Sequence, residues 1–355
     1  MAGSGILVVA SGGLGDAVML AHVVPRFAAL ARPGERVVLV LRRDARKMAF
    51  LFDGVATVEH VDYDKYSRSF SLKSFFYRRT VHKHLGARTW RLIINTDFLR
   101  HPRRDERLIK SLPADEKLAM RARSWAKYDS ELARNEAIYA RLFESGPVLL
   151  DKVLRWHRFA DWLTGSVQAP TPVRFSSDRL PEPAKVDQPV ALLIPFSAVR
   201  EKQASPELFA AIVKHLPDNT DIVIPGAPDD LVRNPDYTAL LALPRVRFEV
   251  CDFETLARLM RAAKIVVSVD TAAMHLAVTM NATTLCLASA AYVGEIVPYA
   301  AEISPPNVRF IYTPMACQGC LGACTVAKEN DRFACVARLS QNDVLREIDD
   351  LLVGA

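Results

Sequence analysis

The sequence predicts an α/β protein built as two parallel sheets in series. Three observations carry that expectation. Short apolar, β-branched runs lack the alternation of a half-exposed sheet, helix-length segments separate consecutive runs, and a proline-rich break divides one such series from the next. The chain has 355 residues, room for two domains of ordinary size. Half of the residues are hydrophobic and 24% are charged, which excludes a disordered chain. The formal net charge of +6 suits nucleic acid, an anionic membrane or a phosphorylated substrate without choosing among them.

The first strand is Gly5 to Ala10, followed by a loop from Ser11 to Asp16 and a helix from Ala17 to Ala31. Arg36 to Leu41 and Val55 to Val61 read as further strands, so the chain opens β-α-β. Asp62 to Arg91 is polar, basic and partly helical, with Tyr63, Tyr66, Phe70, Phe75, Phe76 and Tyr77 interspersed. Leu92 to Asp97 returns to strand, Arg100 to Arg104 reads as a basic loop, and Lys117 to Leu163 as a mostly helical tract. Pro170, Pro172, Pro181, Pro183 and Pro189 then mark a linker over 166–189. Domains are therefore expected at 1–165 and 190–355. Beyond the linker come strands at Val190 to Ile194, Asp221 to Ile224, Val246 to Val250, Ile265 to Val269 and Thr284 to Leu287. Helices are expected at Pro206 to Leu216, Tyr237 to Leu243 and Glu254 to Ala263, with another after Thr271. The reading is two Rossmann-like halves, with ligands in a cleft between them.

Candidate chemistry sits where strands end. Ile265 to Val269 stops at Asp270-Thr271, both good helix caps, and small Ala272 and Ala273 fill the first turn of the next helix. Open amides at such a turn suit a phosphate. In the first half, Gly12-Gly13-Leu14-Gly15-Asp16 permits close approach by a ligand. It is not the dinucleotide fingerprint, since Val18 takes the last glycine's place. Asp16, at a helix start, is kept ionised by the helix dipole and suits proton acceptance. At the mirror position, Ser197, Arg200 and Lys202 follow a strand and supply hydroxyl and cationic groups for a diphosphate. The loop with Gly226 and Asp229 ends another strand, and a carboxylate there suits a ribose hydroxyl.

Asp270-Thr271-Ala272-Ala273-Met274-His275-Leu276-Ala277 resembles the Asp-Thr-Gly-x-x-His-Leu-Ala signature of glycosyltransferase family 9, the heptosyltransferases. Leu14-Gly15-Asp16 resembles the Leu-Gly-Asp after their first strand, and the Lys202 loop resembles their phosphate loop. The resemblance implies a GT-B fold and inverting transfer from a nucleotide-sugar, with no metal in the chemistry. ADP-heptose is the expected donor and a lipopolysaccharide core or related anionic glycan the expected acceptor. It makes Asp16 the catalytic base, with Gly12, Gly13 and Gly15 on the acceptor side. It places the donor diphosphate against Thr271, Ala272 and Ala273 with Lys202 and Ser197, His275 close behind, and Asp270 as organiser of the turn. Two departures stand out: Ala272 replaces the family's glycine, and Gln203-Ala204-Ser205 replace the aromatic and arginine that often follow the lysine.

Cys317, Cys320, Cys324 and Cys335 are spaced to hold structural Zn or Fe, with free thiols and disulfides as the alternatives. Cys251 and Cys286 read as core. Met1 to Leu20 lacks a signal peptide's pattern and no apolar run reaches about 20 residues, so a cytoplasmic protein is expected. The basic-aromatic tract from Lys65 to Arg104 is expected either to face an anionic acceptor such as a phosphorylated glycolipid core or to be a solvated helical surface. The protein as a whole is expected to make peripheral contact with the inner face of a membrane, and no nucleic-acid motif appears. The alternatives are a relative with another donor or acceptor, a nucleotide-binding protein without catalysis, and an NAD(P) oxidoreductase.

Overall fold

The computed structural model describes residues 5–68 and 71–354. Met1 to Ser4 and Phe70 lie outside them. The chain divides into two compact units, Met1–Ala169 and Pro170–Ala355.

Unit 1 carries β1 (Gly5–Ala10), β2 (Arg36–Arg42), β3 (Thr57–Val61), β4 (Trp90–Asn95), β5 (Glu116–Met120) and β6 (Arg141–Phe143). They form one sheet in the order β3-β2-β1-β4-β5-β6, every pair parallel. The helices are α1 (Leu14–Leu20), α2 (Val24–Ala28), α3 (Tyr63–Ser67), α4 (Leu72–Gly86), α5 (Asp105–Ser111), α6 (Asp129–Asn135) and α7 (Lys152–Thr164). Residues of β1 are buried throughout, and those of β4 all but Arg91, which explains the apolar runs Ile6 to Ala10 and Leu92 to Ile94. The single helix expected from Ala17 to Ala31 is two, with Pro25 in the first turn of α2, where its missing N–H costs nothing. The tract from Lys117 to Leu163, expected to be mostly helical, also holds β5 and β6. These strands are short and lie toward a sheet edge, so they keep charged residues that mask their pattern.

Unit 2 carries β7 (Val190–Ile194), β8 (Asp221–Gly226), β9 (Val246–Val250), β10 (Ile265–Val269), β11 (Thr284–Leu287) and β12 (Val308–Ile311). Their order, β12-β11-β10-β7-β8-β9, repeats the connectivity of unit 1. The helices are α8 (Pro206–His215), α9 (Asp230–Arg233), α10 (Phe253–Ala262), α11 (Ala272–Thr279), α12 (Ala334–Ala337) and α13 (Gln341–Val353). Pro235–Ala242 is a 3-10 turn, where a helix at Tyr237 to Leu243 was expected. Buried side chains of β7, β8, β10 and β11 pack with α8 and with Val344, Ile348 and Leu351 of α13. The proline-rich stretch is packed on this unit: the amides of Val173, Phe175 and Ala184 donate to the carbonyls of Ile303, Thr279 and Arg258. Among the described residues, no helix is long and apolar enough to cross a membrane.

Both sheets place their switch point between the first strand and the fourth. Crossovers leave to one side of β1 and then the other, so the loops after β1 and β4 flank an open crevice, as do those after β7 and β10.

Beside the first crevice lies a buried polar network. Asn95 Nδ2 donates to Asp105 Oδ2 and to the Tyr139 hydroxyl, each at 3.0 Å, and that hydroxyl donates to Glu106 Oε1 at 2.8 Å. Arg100, at the start of the basic loop, is fully buried, 3.4 Å from Glu106 and over the Tyr139 ring. Asp97, Asp105 and Glu106 crowd three carboxyl groups into this buried cluster. Burial, with repulsion from Asp105, pushes the Asp97 carboxyl up to about 7, and burial with repulsion from Glu106 does the same for Asp105. Unfolded, such groups release their protons near pH 4. The folded state thus holds extra protons between about pH 4 and pH 7, and the stability they supply is lost as pH rises through that window. Asp105→Asn removes one titrating member. Chemical denaturation across pH should show a flatter decline for that variant, and an unchanged decline would refute the assignment.

Candidate active site

At the switch point of unit 2, β10 is buried throughout and ends one residue before Asp270. Thr271 takes the cap position of α11 with extended backbone, φ −148° and ψ 170°, yet its side chain makes no capping bond. Among the described residues, the amides of Ala272 and Ala273 carry no hydrogen bond, whereas those of Met274 and His275 donate to the Thr271 carbonyl. Two donors at the positive end of the helix are therefore open to an anion. Ala272 opens the helix itself, so its backbone is one that alanine adopts freely, and the departure from glycine carries no conformational cost.

Lys202 reaches this turn from the loop after β7. Its Nζ lies 2.6 Å from Asp270 Oδ2 and 4.5 Å from the centre of the Tyr292 ring. Asp270 is 1% exposed, so its charge is borne by that lysine. His275 sets Nε2 3.8 Å from Asp270 Oδ1, and its Nδ1 is 2.6 Å from the Tyr299 hydroxyl. Lys202, Asp270, Thr271, Ala272, Ala273 and His275 are thus gathered at one strand end.

The remaining predicted residues of unit 2 are placed differently. Ser197 stays in the loop, with its Oγ accepting from the Val199 amide at 3.3 Å. Arg200 turns to Asn234 at 2.8 Å and Asp236 at 2.7 Å, where Arg332 joins it on the same carboxylate. Its guanidinium is engaged in a network that braces the loop through Gln203, Asn234 and Asp236. Asp229 pairs with Arg233 on the surface. The carboxylate that shapes the Gly226 loop is its neighbour Asp230, which accepts from the Ala227 amide at 2.6 Å. Gly226 has a steric role, since a Cβ there would lie 2.8 Å from Phe248.

In unit 1, Asp16 is the third residue of α1. Its Oδ2 accepts from the Gly13 amide at 2.8 Å and its Oδ1 lies 2.6 Å from Lys152 Nζ. Gly12 is required by this carboxylate: a Cβ there would fall 2.6 Å from Asp16. Gly13 caps α1 and Gly15 lies in its first turn. Sequence reasoning missed two residues here. Lys152, far along the chain, is delivered by α7, which Asp151 caps by accepting from the amides of Val153 and Leu154. Asp97, counted only as the end of a strand, follows β4 at the switch point and accepts from the Ser11 amide at 2.9 Å. The strand order is the signal that would have found Asp97, because it brings the end of β4 beside the end of β1.

The cysteines divide. The Sγ atoms of Cys317, Cys320 and Cys324 lie within 4.8 Å of one another, whereas Cys335 does not belong to that group. Cys335 is buried in α12, against the amides of Ala290 and Ala291. Among the described residues the expected four-thiol set is a set of three. Burial and the adjoining thiols raise the Cys317 pKa, a strain that a bound cation would relieve.

Residues 154–319 match the model of glycosyltransferase family 9 (heptosyltransferase). No curated protein matches the sequence. Among solved structures, the chain is similar to the E. coli heptosyltransferase WaaC with ADP-2-deoxy-2-fluoro heptose, with a TM-score of 0.69 and 18% identity over 97% of this chain and 99% of that one. It is also similar to a glycosyltransferase family 9 protein from Veillonella parvula DSM 2008, with a TM-score of 0.70 and 15% identity over 99% and 98%. A third is the iron-containing dodecameric glycosyltransferase TibC from enterotoxigenic E. coli H10407, at 0.56 and 11% over 99% of this chain and 76% of that one. The GT-B architecture is common to the heptosyltransferase neighbours and this chain, and over residues 154–319 the chain carries the sequence of glycosyltransferase family 9 (heptosyltransferase).

Proposed function

We propose that this chain transfers a heptose or similar sugar, with inversion, from a nucleoside-diphosphate donor to a lipopolysaccharide core or related anionic glycan in the cytoplasm. The observation that carries the reading is Lys202 held 2.6 Å from Asp270, beside the open amides of Ala272 and Ala273. Negative charge grows on the leaving diphosphate as the glycosidic bond breaks. A lysine and helix-end amides fixed in advance stabilise that charge without reorganising. ADP-heptose is the donor we assign, because WaaC was solved with an ADP-sugar analogue. In this reading unit 2 takes the nucleotide-sugar, with the Gly226 loop near the ribose, and unit 1 takes the acceptor.

Asp16 is the base. Its carboxylate would take the proton from the attacking acceptor hydroxyl, while Lys152 and the Gly13 amide fix its direction. Asp97 holds the same turn through Ser11 and is a positioning residue.

Three converging thiols fit a soft or borderline cation, and TibC is an iron-containing relative in fold. We assign Cys317, Cys320 and Cys324 as its ligands. A bound Zn or Fe would pin the loop that follows β12, with no part in the transfer step.

A thermal-shift panel of nucleoside diphosphates tests the donor. ADP at about one hundred times its Kd should stabilise the fold by about 2.7 kcal/mol, more than UDP or GDP. An equal response to all three would leave the adenine assignment without support. Asp16→Asn should lower the transfer rate by at least about a hundredfold and keep the ADP response, and near-normal turnover would remove Asp16 as base. Elemental analysis of freshly purified protein should find about one Zn or Fe per chain, lost in Cys317→Ser/Cys320→Ser. A metal-free chain would rule the thiol site out.

A further inference from the structure

We infer that the outward side of α4 docks on an anionic lipid bilayer. Ser71 caps this helix by accepting from the Ser74 amide, and Ser74, Val81 and Leu85 are buried on its inward side. Leu72, Phe75 and Phe76 are 78%, 52% and 62% exposed. Spacing of three and four residues places them on one side of the helix. The two phenylalanine rings meet edge to face, 5.6 Å apart, so they form a single apolar tip.

Cations follow that tip. Lys73, Arg78, Arg79 and Lys83 lie within α4, and the helix holds no Asp or Glu. Among the described residues, Arg79 and Lys83 have no acidic partner. Arg78 is fixed by the carbonyls of Tyr66 and Arg68, at 3.1 and 2.7 Å. With Phe75, Arg79, His82 and Lys83 it lines a depression of about 480 Å³. Burial holds the His82 pKa down, and the nearby charges of Arg78 and Arg107 lower it further.

Apolar tip and cationic flank together match the boundary between acyl chains and acidic headgroups. Phenylalanine and leucine enter the boundary, and each lysine or arginine near a negative surface strengthens the attachment. A nucleic acid would satisfy the cations and leave Leu72 in water. The surface lies on unit 1 and does not depend on the donor reading.

Co-sedimentation of the full chain tests the inference, using vesicles of phosphatidylcholine alone and with phosphatidylglycerol. Binding to the anionic vesicles should be at least about tenfold stronger and should weaken with salt. Arg79→Glu/Lys83→Glu should abolish that preference. Leu72→Ser/Phe75→Ser/Phe76→Ser should weaken binding at every salt concentration. Both variants alter exposed side chains, and unchanged melting temperatures would show intact folds. Equal binding to both vesicle types, no binding, or variants that bind like the unmodified chain would each overturn the inference. So would binding to single-stranded RNA without binding to vesicles. Absence of any ADP response would overturn the donor assignment and leave the vesicle result standing.

Discussion

The buried ion pair between Lys202 and Asp270 is the interaction on which the second unit's crevice depends. A carboxylate at the end of a buried strand has lost most of its hydration, and it is tolerated only with a partner. Lys202 supplies that partner and is thereby pinned at the mouth of α11, with the Tyr292 ring behind it. Removing the lysine alone would strand the carboxylate and cost about 3–5 kcal/mol. Fold stability and the position of the cation are therefore one constraint.

Unit 1 solves a related problem. Its crevice also lies between the first and fourth strands. Asp16 and Asp97 each accept from an amide of the same short turn, at Gly13 and Ser11. Lys152 balances Asp16, and behind Asp97 Asn95 bonds Asp105 and Tyr139, and Tyr139 bonds Glu106. Arg100 lies 3.4 Å from Glu106, with its guanidinium nitrogens making no hydrogen bond among the described residues. Identical strand order thus carries a lysine–aspartate pair at each crevice, 2.6 Å apart in both, and the first unit adds a second carboxyl, Asp97, beside its pair.

The central strands were legible because burial on both faces leaves apolar runs that no helix of that length would show. β5 and β6 were not, because Glu116, Lys117 and Arg141 interrupt runs of only three to five residues. The Thr271 turn and the Lys202 loop could be found because strand, cap and small residues are contiguous in sequence. Lys152 and Asp97 escaped because their importance comes from topology: one is carried in by α7, the other by the pairing of β4 with β1. Arg200 showed the reverse failing, since a cation in the right loop was claimed by Asn234 and Asp236. The outward side of α4 gave no periodic signal because its largest apolar residues face away from the core.

If Lys202 and the α11 amides form a phosphate site, the phosphates of a nucleotide and its nucleoside should separate sharply in their dependence on that pair. The decisive measurement is calorimetric binding of ADP and of adenosine to the unmodified chain and to Lys202→Met/Asp270→Asn, which removes both charges together. ADP affinity should fall by at least about tenfold, with adenosine affinity unchanged. ADP binding that survives intact, or a loss shared equally by adenosine, would contradict the account.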